Sequence, residues 1–401
     1  MALRKFRRPW LAACVVAASV GMVATGCSSP SDTGGDSADT VKIGAILPVT
    51  GPVSEWGQSN TATLKMLQRD VNDKGGINGK KLEIIIYDSG AKGVEAANLV
   101  RKLATEDNVL AIMGPFTSSE AEVAFPVANQ MKISMTSQAS SKPGVAEANR
   151  PWAFRNTVDE SIYLKSVVPE MVKDTGAKNA AIAYDSADAV GSSIGQKILP
   201  AVLKAASVDV VNSSKPVTFG TTDIDLKAQA GTIASLAPDA VGVGAFYNGA
   251  GKLMREMDQE GLKTPIFGGS TLVSANILEA APQIPIFSAG TYYPGAESAK
   301  DWTAKAVAAF KADKVPGAPT MFDSQLYEIG EMYVAAIKDG KLDSMSVEKA
   351  REGIRDYMTN LSGFQGLTSK ISMKPSGDAS REFFIIRGAE GAWTELKTVE
   401  P

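Results

Sequence analysis

The chain predicts an α/β fold built as two similar lobes, and three observations lead there. From Val41 onward, short β-branched runs alternate with amphipathic stretches of helical length, the pattern of parallel sheets covered by helices on both faces. The alternation forms two series of comparable length, broken at Arg150–Thr157 and again at Gly290–Pro294. About 375 residues follow an N-terminal leader, too many for one ordinary core and suited to two lobes of roughly 100–200 residues each.

The leader comes first in the chain. Arg4, Lys5, Arg7 and Arg8 precede an apolar run from Trp10 to Val23, which is shorter than the ~20 residues a membrane-spanning helix needs and fits a secretory signal. Residues 1–26 are therefore expected to direct export and be removed. Ala24-Thr25-Gly26-Cys27 resembles a bacterial lipobox, with Ala24 where leucine is usual; the resemblance implies that Cys27 carries a lipid. Residues 27–40, free of large apolar side chains from Ser28 to Asp39, then read as a tether.

The first series places strands at Val41–Leu47, Leu82–Tyr87, Val109–Met113 and Ile133–Thr136, with helices at Gly57–Asn72, Gly93–Glu106 and Ser118–Gln130. Between them, Lys74–Lys80 holds three glycines that can take left-handed backbone angles as the chain leaves a helix and re-enters the sheet. The second series has strands at Ala180–Tyr184, Val208–Val211, Ala240–Ala245 and Pro265–Phe267, and helices at Ser161–Asp174, Ser192–Ala205 and Gly249–Glu260. Beyond the second interruption, helices are expected at Ala299–Ala312, Thr320–Lys338 and Ser346–Thr359, and strands at Gly366–Met373 and Glu382–Arg387. Two βα series joined by several strand-like crossings describe a hinged pair.

Composition narrows the function. There are 41 Lys and Arg against 44 Asp and Glu, and residues 1–26 hold four basic and no acidic side chains, so the net charge of −3 becomes −7 without them. A mildly acidic surface without basic clusters argues against nucleic acid as a partner. Of the two cysteines, Cys14 lies in the leader and Cys27 is the lipid candidate, so no disulfide is expected. The chain contains no histidine, which removes the commonest general base and metal ligand together. Gly191-Ser192-Ser193-Ile194-Gly195 matches a nucleophile-elbow string, but nothing is present to activate Ser193, and the segment reads as a helix start after a strand. The chain is expected to be no enzyme and to need no cofactor or metal.

Several strings in order carry a resemblance: Val41-Lys42-Ile43-Gly44-Ala45-Ile46-Leu47-Pro48-Val49-Thr50-Gly51-Pro52, Trp56-Gly57, Gly75-Gly76-Ile77-Asn78-Gly79-Lys80-Lys81-Leu82, Tyr87-Asp88 and Gly114-Pro115-Phe116-Thr117-Ser118-Ser119. From Val41 to about Arg387 the chain resembles the leucine/isoleucine/valine-binding proteins, type I solute-binding proteins that deliver ligands to ABC importers. That resemblance implies two Rossmann-like lobes with parallel sheets joined by a three-strand hinge. Lobe 1 would comprise residues 41–157 plus 292–370, and lobe 2 residues 158–291 plus 371–401. It further implies a monomer, exported and lipid-anchored to the outer face of the cell membrane, that captures a small molecule, whether an amino acid, an amide or an aromatic or short carboxylate, for a permease. The alternatives are a ligand-sensing receptor module of the same fold and an extracytoplasmic enzyme, the second disfavoured by the lack of histidine.

In parallel sheets a ligand sits beyond the carboxyl ends of the strands, where helix N-termini present unpaired N–H groups. Ser118 and Ser119 stand at such a helix start. By resemblance, Ser118 is the carboxylate-binding serine, Ala139 supplies a backbone carbonyl, Ser141 a hydroxyl, and Trp56 an aromatic wall; serines after strands also often cap helices. The second lobe departs from the family pattern. Phe246, beside Tyr247, stands where a tyrosine is usual, Val190 replaces another, and Ser270 replaces the acid that meets the ligand's ammonium. Burying an ammonium without a carboxylate is costly. Either Asp185, Asp188 or Glu328 supplies the charge, or the ligand is not an α-amino acid; Phe246, Tyr247 and Trp56 favour an apolar or aromatic acid or a neutral amide.

Overall fold

A computed structural model describes residues 39–400, which pack as one compact unit from Asp39 onward. The lipid candidate Cys27 and the leader lie outside the described residues.

The first series forms a five-stranded sheet from β1 (Thr40–Leu47), β2 (Lys81–Asp88), β3 (Ala111–Met113), β4 (Ser134–Ser137) and β5 (Ala153–Arg155). Its order is β2-β1-β3-β4-β5 and every pairing is parallel. The inner strands β3 and β4 are buried throughout and carry the apolar or small residues such a sheet demands; of the two edge strands, β2 is half exposed, whereas β5 is buried. Helices α1 (Ser54–Asp73), α2 (Gly93–Thr105) and α3 (Ser118–Gln130) connect them. Residues 153–155, expected as an interruption, are the fifth strand.

The second series repeats the winding. Strands β6 (Asn179–Asp185), β7 (Asp209–Val210), β8 (Val217–Phe219), β9 (Ala240–Gly244), β10 (Ile266–Gly268) and β11 (Ile286–Gly290) alternate with α4 (Glu160–Thr175), α5 (Ala189–Ser193), α6 (Leu199–Ala205), α7 (Lys227–Leu236), α8 (Tyr247–Gln259) and α9 (Ala275–Ala280). The remainder of the chain supplies α10 (Lys300–Ala312), α11 (Met321–Asp339), α12 (Val347–Thr359) and five further strands: β12 (Phe364–Gln365), β13 (Lys370–Met373), β14 (Ala379–Ser380), β15 (Phe383–Ala389) and β16 (Ala392–Val399). The second sheet runs β16-β15-β11-β10-β9-β6-β7, with β8 also on β6. Its core is parallel, but β15 and β16 add antiparallel to the β11 edge, so the expectation of a wholly parallel sheet is corrected to a mixed one. A tight hairpin at Glu390–Gly391, both with positive φ, turns β15 back into β16.

Three further differences have local causes. The strand expected at Val208–Val211 shrinks to two residues because β8 takes the rest of the β6 edge. The helix expected from Ser192 starts at Ala189, capped by Asp188, and passes through a π turn at Ile194–Ile198. Pro200 follows, and its missing N–H cannot bond the carbonyl four residues back, so the turn widens. The strand expected at Gly366–Met373 begins only at Lys370, as β13, because Gly366–Ser369 form the turn that folds it antiparallel onto β12, with Gly366 N–H donating to the Ser369 carbonyl at 3.0 Å.

The chain passes between the two sheets three times: after β5, after β11, and between β13 and β15. The small sheet β12-β13-β14 lies at the last passage, where Arg155 N–H donates to the Gly377 carbonyl at 2.8 Å. A buried ion pair holds the same region: Arg381 reaches both carboxylate oxygens of Glu328, and Asn156 Nδ2 donates to Glu328 Oε2 at 2.9 Å.

Candidate ligand-binding site

In both sheets the strand order reverses beside the first strand of the series, between β1 and β3 and between β6 and β9, which is where open α/β sheets leave a crevice at their carboxyl ends. The loops at those ends converge. Trp56 projects from the first turn of α1, and Gly57 beside it lets that turn approach β1: a Cβ there would lie 2.0 Å from the Pro48 carbonyl oxygen. The Trp56 ring, 2 % exposed, stacks on Phe116 after β3 at 5.2 Å between centroids and meets Phe246 after β9 at 5.0 Å, Tyr247 at 4.7 Å and Phe322 of α11 at 5.5 Å. Edge and tilted contacts of this kind hold rings together beyond their burial. The Tyr247 hydroxyl donates to Glu55 of α1, and Asn276 Nδ2 donates to the same carboxylate; burial pushes the Glu55 carboxyl up, with the Asn276 bond opposing.

The polar side of the site begins at α3. Thr117, not Ser118, caps the helix: Thr117 Oγ1 accepts from Glu120 N–H at 3.1 Å, and the Glu120 carboxylate accepts from Thr117 N–H at 2.8 Å, a capping box. Ser118 is thereby released from capping. Its oxygen accepts from Ser140 Oγ at 3.2 Å and from Lys142 N–H at 3.3 Å, which leaves its hydroxyl proton to donate elsewhere. Ser119 follows in the same turn, partly buried.

The 137–142 loop is built tightly. Ser137 Oγ donates to the Pro115 carbonyl at 2.6 Å and accepts from Ala139 and Ser140 N–H. Arg155, fully buried, donates to the Ser140 and Lys142 carbonyls at 2.9 and 2.6 Å and pairs with Asp378 at 2.6 Å, so the passage between the sheets anchors the loop. Ser141 Oγ is buried and lies beside the Glu160 carboxylate, whose charged form it favours.

Across from this loop stands a carboxylate that the sequence reading missed. Glu160, the first residue of α4, donates its N–H to the Ser141 carbonyl at 3.3 Å. Its side chain is fully buried and accepts from Ser270 N–H at 3.1 Å and from the Ser270 hydroxyl. Burial pushes its carboxyl up to about 7, against the lowering effect of Ser270 and of the Ser141 hydroxyl. Thr271 Oγ1 donates to the Ala245 carbonyl at 2.8 Å, tying the Ser270 loop to the Phe246 loop. A closed circuit results: Trp56, Phe116, Ser118, Ser140, Ser141, Glu160, Ser270, Thr271, Ala245, Phe246 and back to Trp56.

The structure therefore brings Trp56, Ser118, Ala139, Ser141, Phe246, Tyr247 and Ser270 to one region, with Ser119 at its margin. The three acids weighed from sequence are engaged elsewhere. Asp185 accepts from Thr221 Oγ1 at 2.6 Å and from Ala187 N–H, Asp188 caps α5 through Gly191 N–H at 2.7 Å, and Glu328 belongs to the Arg381 pair. Phe116 stood in a string singled out for resemblance; Phe322 and Glu160 carried no local signal beyond lying at helix starts. The G-x-S-x-G string is explained by packing: a Cβ at Gly195 would lie 2.2 Å from the Tyr184 ring, and one at Gly191 2.8 Å from the Gly244 carbonyl oxygen.

No cluster of metal-ligating side chains and no helix long and apolar enough to cross a membrane occurs among the described residues.

Residues 40–392 match a family model described as periplasmic binding protein. The chain is 24 % identical over 250 residues to a leucine-, isoleucine-, valine-, threonine- and alanine-binding protein of Pseudomonas aeruginosa, covering 61 % of this chain and 64 % of that one. It is 25 % identical over 353 residues to Leu/Ile/Val-binding protein homolog 3 of Brucella melitensis, covering 86 % and 90 %. Two solved structures share the fold. The branched-chain amino acid transporter substrate binding protein LivJ of Streptococcus pneumoniae, in complex with isoleucine, superposes with a TM-score of 0.79 at 21 % identity over 90 % of this chain and 100 % of that one. A solute binding protein of an R. palustris ABC transporter, in complex with benzoate, gives 0.76 at 20 % identity over 90 % and 97 %.

Proposed function

Because this chain belongs to the periplasmic binding protein family, we propose that it is an exported lipoprotein that captures a small solute between two lobes and passes it to the permease of an ABC importer. The observation that carries this reading is the ring cluster, in which Trp56 and Phe116 from one sheet's loops meet Phe246 and Tyr247 from the other's. A solute entering there must part those rings, and the bonds from Tyr247 and Asn276 to Glu55 span the same boundary. The chemistry required is a hinge and a polar-lined cleft.

The lobes of this reading are residues 41–157 plus 292–370, and 158–291 plus 371–401, with the Arg381–Glu328–Asn156 cluster at the hinge. The ligand residues are Trp56, Ser118, Ser119, Ala139, Ser141, Phe246, Tyr247 and Ser270. Two similar solved structures are described as complexes with isoleucine and with benzoate, so ligands of both kinds belong in the first screen. Cys27 carries the lipid, and the protein works as a monomer.

A thermal-shift screen of the purified protein against amino acids, amides and aromatic and short carboxylic acids tests the reading, since a ligand selective for the folded state raises the melting temperature. A shift with at least one of them is expected, and none across all classes overturns it. Cys27→Ser is expected to release the protein from the membrane fraction; unchanged membrane retention removes the lipid anchor from the proposal.

A further inference from the structure

We propose that Glu160 is the anionic pole of the site, taking over from position 270 the recognition of a ligand ammonium, so that the ligand is a zwitterion with its carboxylate at Ser118. This rests on the solute-binding reading and specifies its ligand.

The geometry around Glu160 is made for a side chain arriving from α4. Gly269 has no Cβ, and one placed there would lie 1.6 Å from Glu160 Oε2; the pair Gly269-Ser270 is small because the carboxylate occupies the space a larger residue would fill. Ser270 then turns both its N–H and its hydroxyl to that carboxylate, orienting it. An acid missing from one strand end is thus supplied by the N-terminus of another helix, 110 residues earlier in the chain.

A purely structural role fits the site less well. A carboxylate has about four acceptor positions; Ser270 supplies two donors and the neighbouring Ser141 hydroxyl favours the charged form as well, which still leaves the charge without a cation. The charged group closest in effect among the described residues is the Asp159 carboxylate, which repels it. A fully buried carboxylate without a cation is costly, whereas an ammonium group brought by the ligand would neutralise it and fill the remaining acceptor positions. The complementary pole lies across the 139–142 loop. Ser118 keeps a free hydroxyl proton at the start of α3, where the dipole favours an anion. The two poles are bridged by that loop, since the Ser141 carbonyl accepts from Glu160 N–H while Ser140 and Lys142 hold Ser118.

The test is calorimetric titration of wild-type protein, Glu160→Gln and Glu160→Asp with each L-amino acid and with its des-amino counterpart, the same carboxylic acid lacking the amine. Wild type is expected to bind at least one L-amino acid 100-fold or more tighter than its counterpart. Glu160→Gln is expected to lose at least 30-fold for the amino acid and to stay within threefold for the counterpart, with Glu160→Asp in between. Equal affinity of wild type for both compounds, or wild-type amino-acid affinity in a folded Glu160→Gln, overturns the assignment. Binding of benzoate or an amide, with no amino acid binding, also overturns it while leaving the solute-binding reading intact; no binding of any of these compounds overturns both. Circular dichroism establishes whether Glu160→Gln is folded; if it is not, the wild-type ratio decides.

Discussion

Glu160 makes the stability of the ligand-free protein depend on pH in a direction that can be worked out. Its carboxyl is raised from 4.5 to about 7 in the folded chain, while in the unfolded chain it titrates in the ordinary range. Between those values the folded state holds the proton and the unfolded state has released it. Stability therefore falls as pH rises through this window and levels off above about 7. A rise from 4.5 to about 7 corresponds to about 3 kcal/mol. The titratable groups that interact with it are Asp159, which caps its helix, and Tyr163 one turn further on; the nearby cations are engaged with others, Arg155 lying 3.6 Å from Asp159 and Arg381 pairing with Glu328. Burial also raises Glu331 to about 7 and Asp188 to about 6, so the wild-type profile alone mixes several groups. The assay is urea unfolding of wild type and Glu160→Gln from pH 4.5 to 8.5, with the two free energies subtracted at each pH. The difference should shift by about 3 kcal/mol against wild type across the window, because the other groups cancel. Parallel profiles would refute the reasoning, for they would mean that Glu160 ionises as readily inside the protein as outside it.

The remaining expectations concern neighbouring parts. Trp56→Ala removes a buried ring in contact with four others and should lower the unfolding free energy by about 3–5 kcal/mol and weaken ligand binding by at least about 1 kcal/mol; wild-type affinity would place the site elsewhere. Ser118→Ala should weaken binding by at least about 1 kcal/mol and, because Lys142 N–H and Ser140 Oγ lose their acceptor, also lower stability by about 1 kcal/mol; wild-type affinity in the folded variant would remove Ser118 from the site. Glu328→Gln takes the counter-charge from buried Arg381 and should cost about 3–5 kcal/mol of stability, read from the urea midpoint; a neutral result would mean that the Arg381 charge is solvated. Ser193→Ala should leave stability within about 0.5 kcal/mol and binding unchanged; loss of a hydrolytic activity would reopen the enzyme reading.

Much of the fold was legible because its elements are local. The runs that became β1, β6 and β9 lie within a residue or two of the strands read from periodicity, and α3 spans Ser118–Gln130 as read. Edge pairing was not legible. Whether Val208–Val211 or Val217–Phe219 holds the β6 edge depends on what else competes for it, and the antiparallel pair β15–β16 depends on where the last passage between sheets delivers the chain. Among the proposed site residues, Trp56, Ser118, Ala139, Ser141 and Phe246 came from the family resemblance, and the fold brings them to one region. Phe322 and Glu160 open helices whose position in the molecule no local pattern announces.

The sequence by itself determined the α/β class, the two-series organisation, the absence of histidine chemistry and the serine at the start of α3, because these follow from composition and from periodicities of two and 3.6 residues. Tertiary structure alone decided which acid faces Ser270. Asp185, Asp188, Glu328 and Glu160 are equivalent as carboxylates in a string of letters. They are separated only by which helix start the winding order carries to the end of β10, and by Gly269, whose missing side chain leaves room for Glu160 alone.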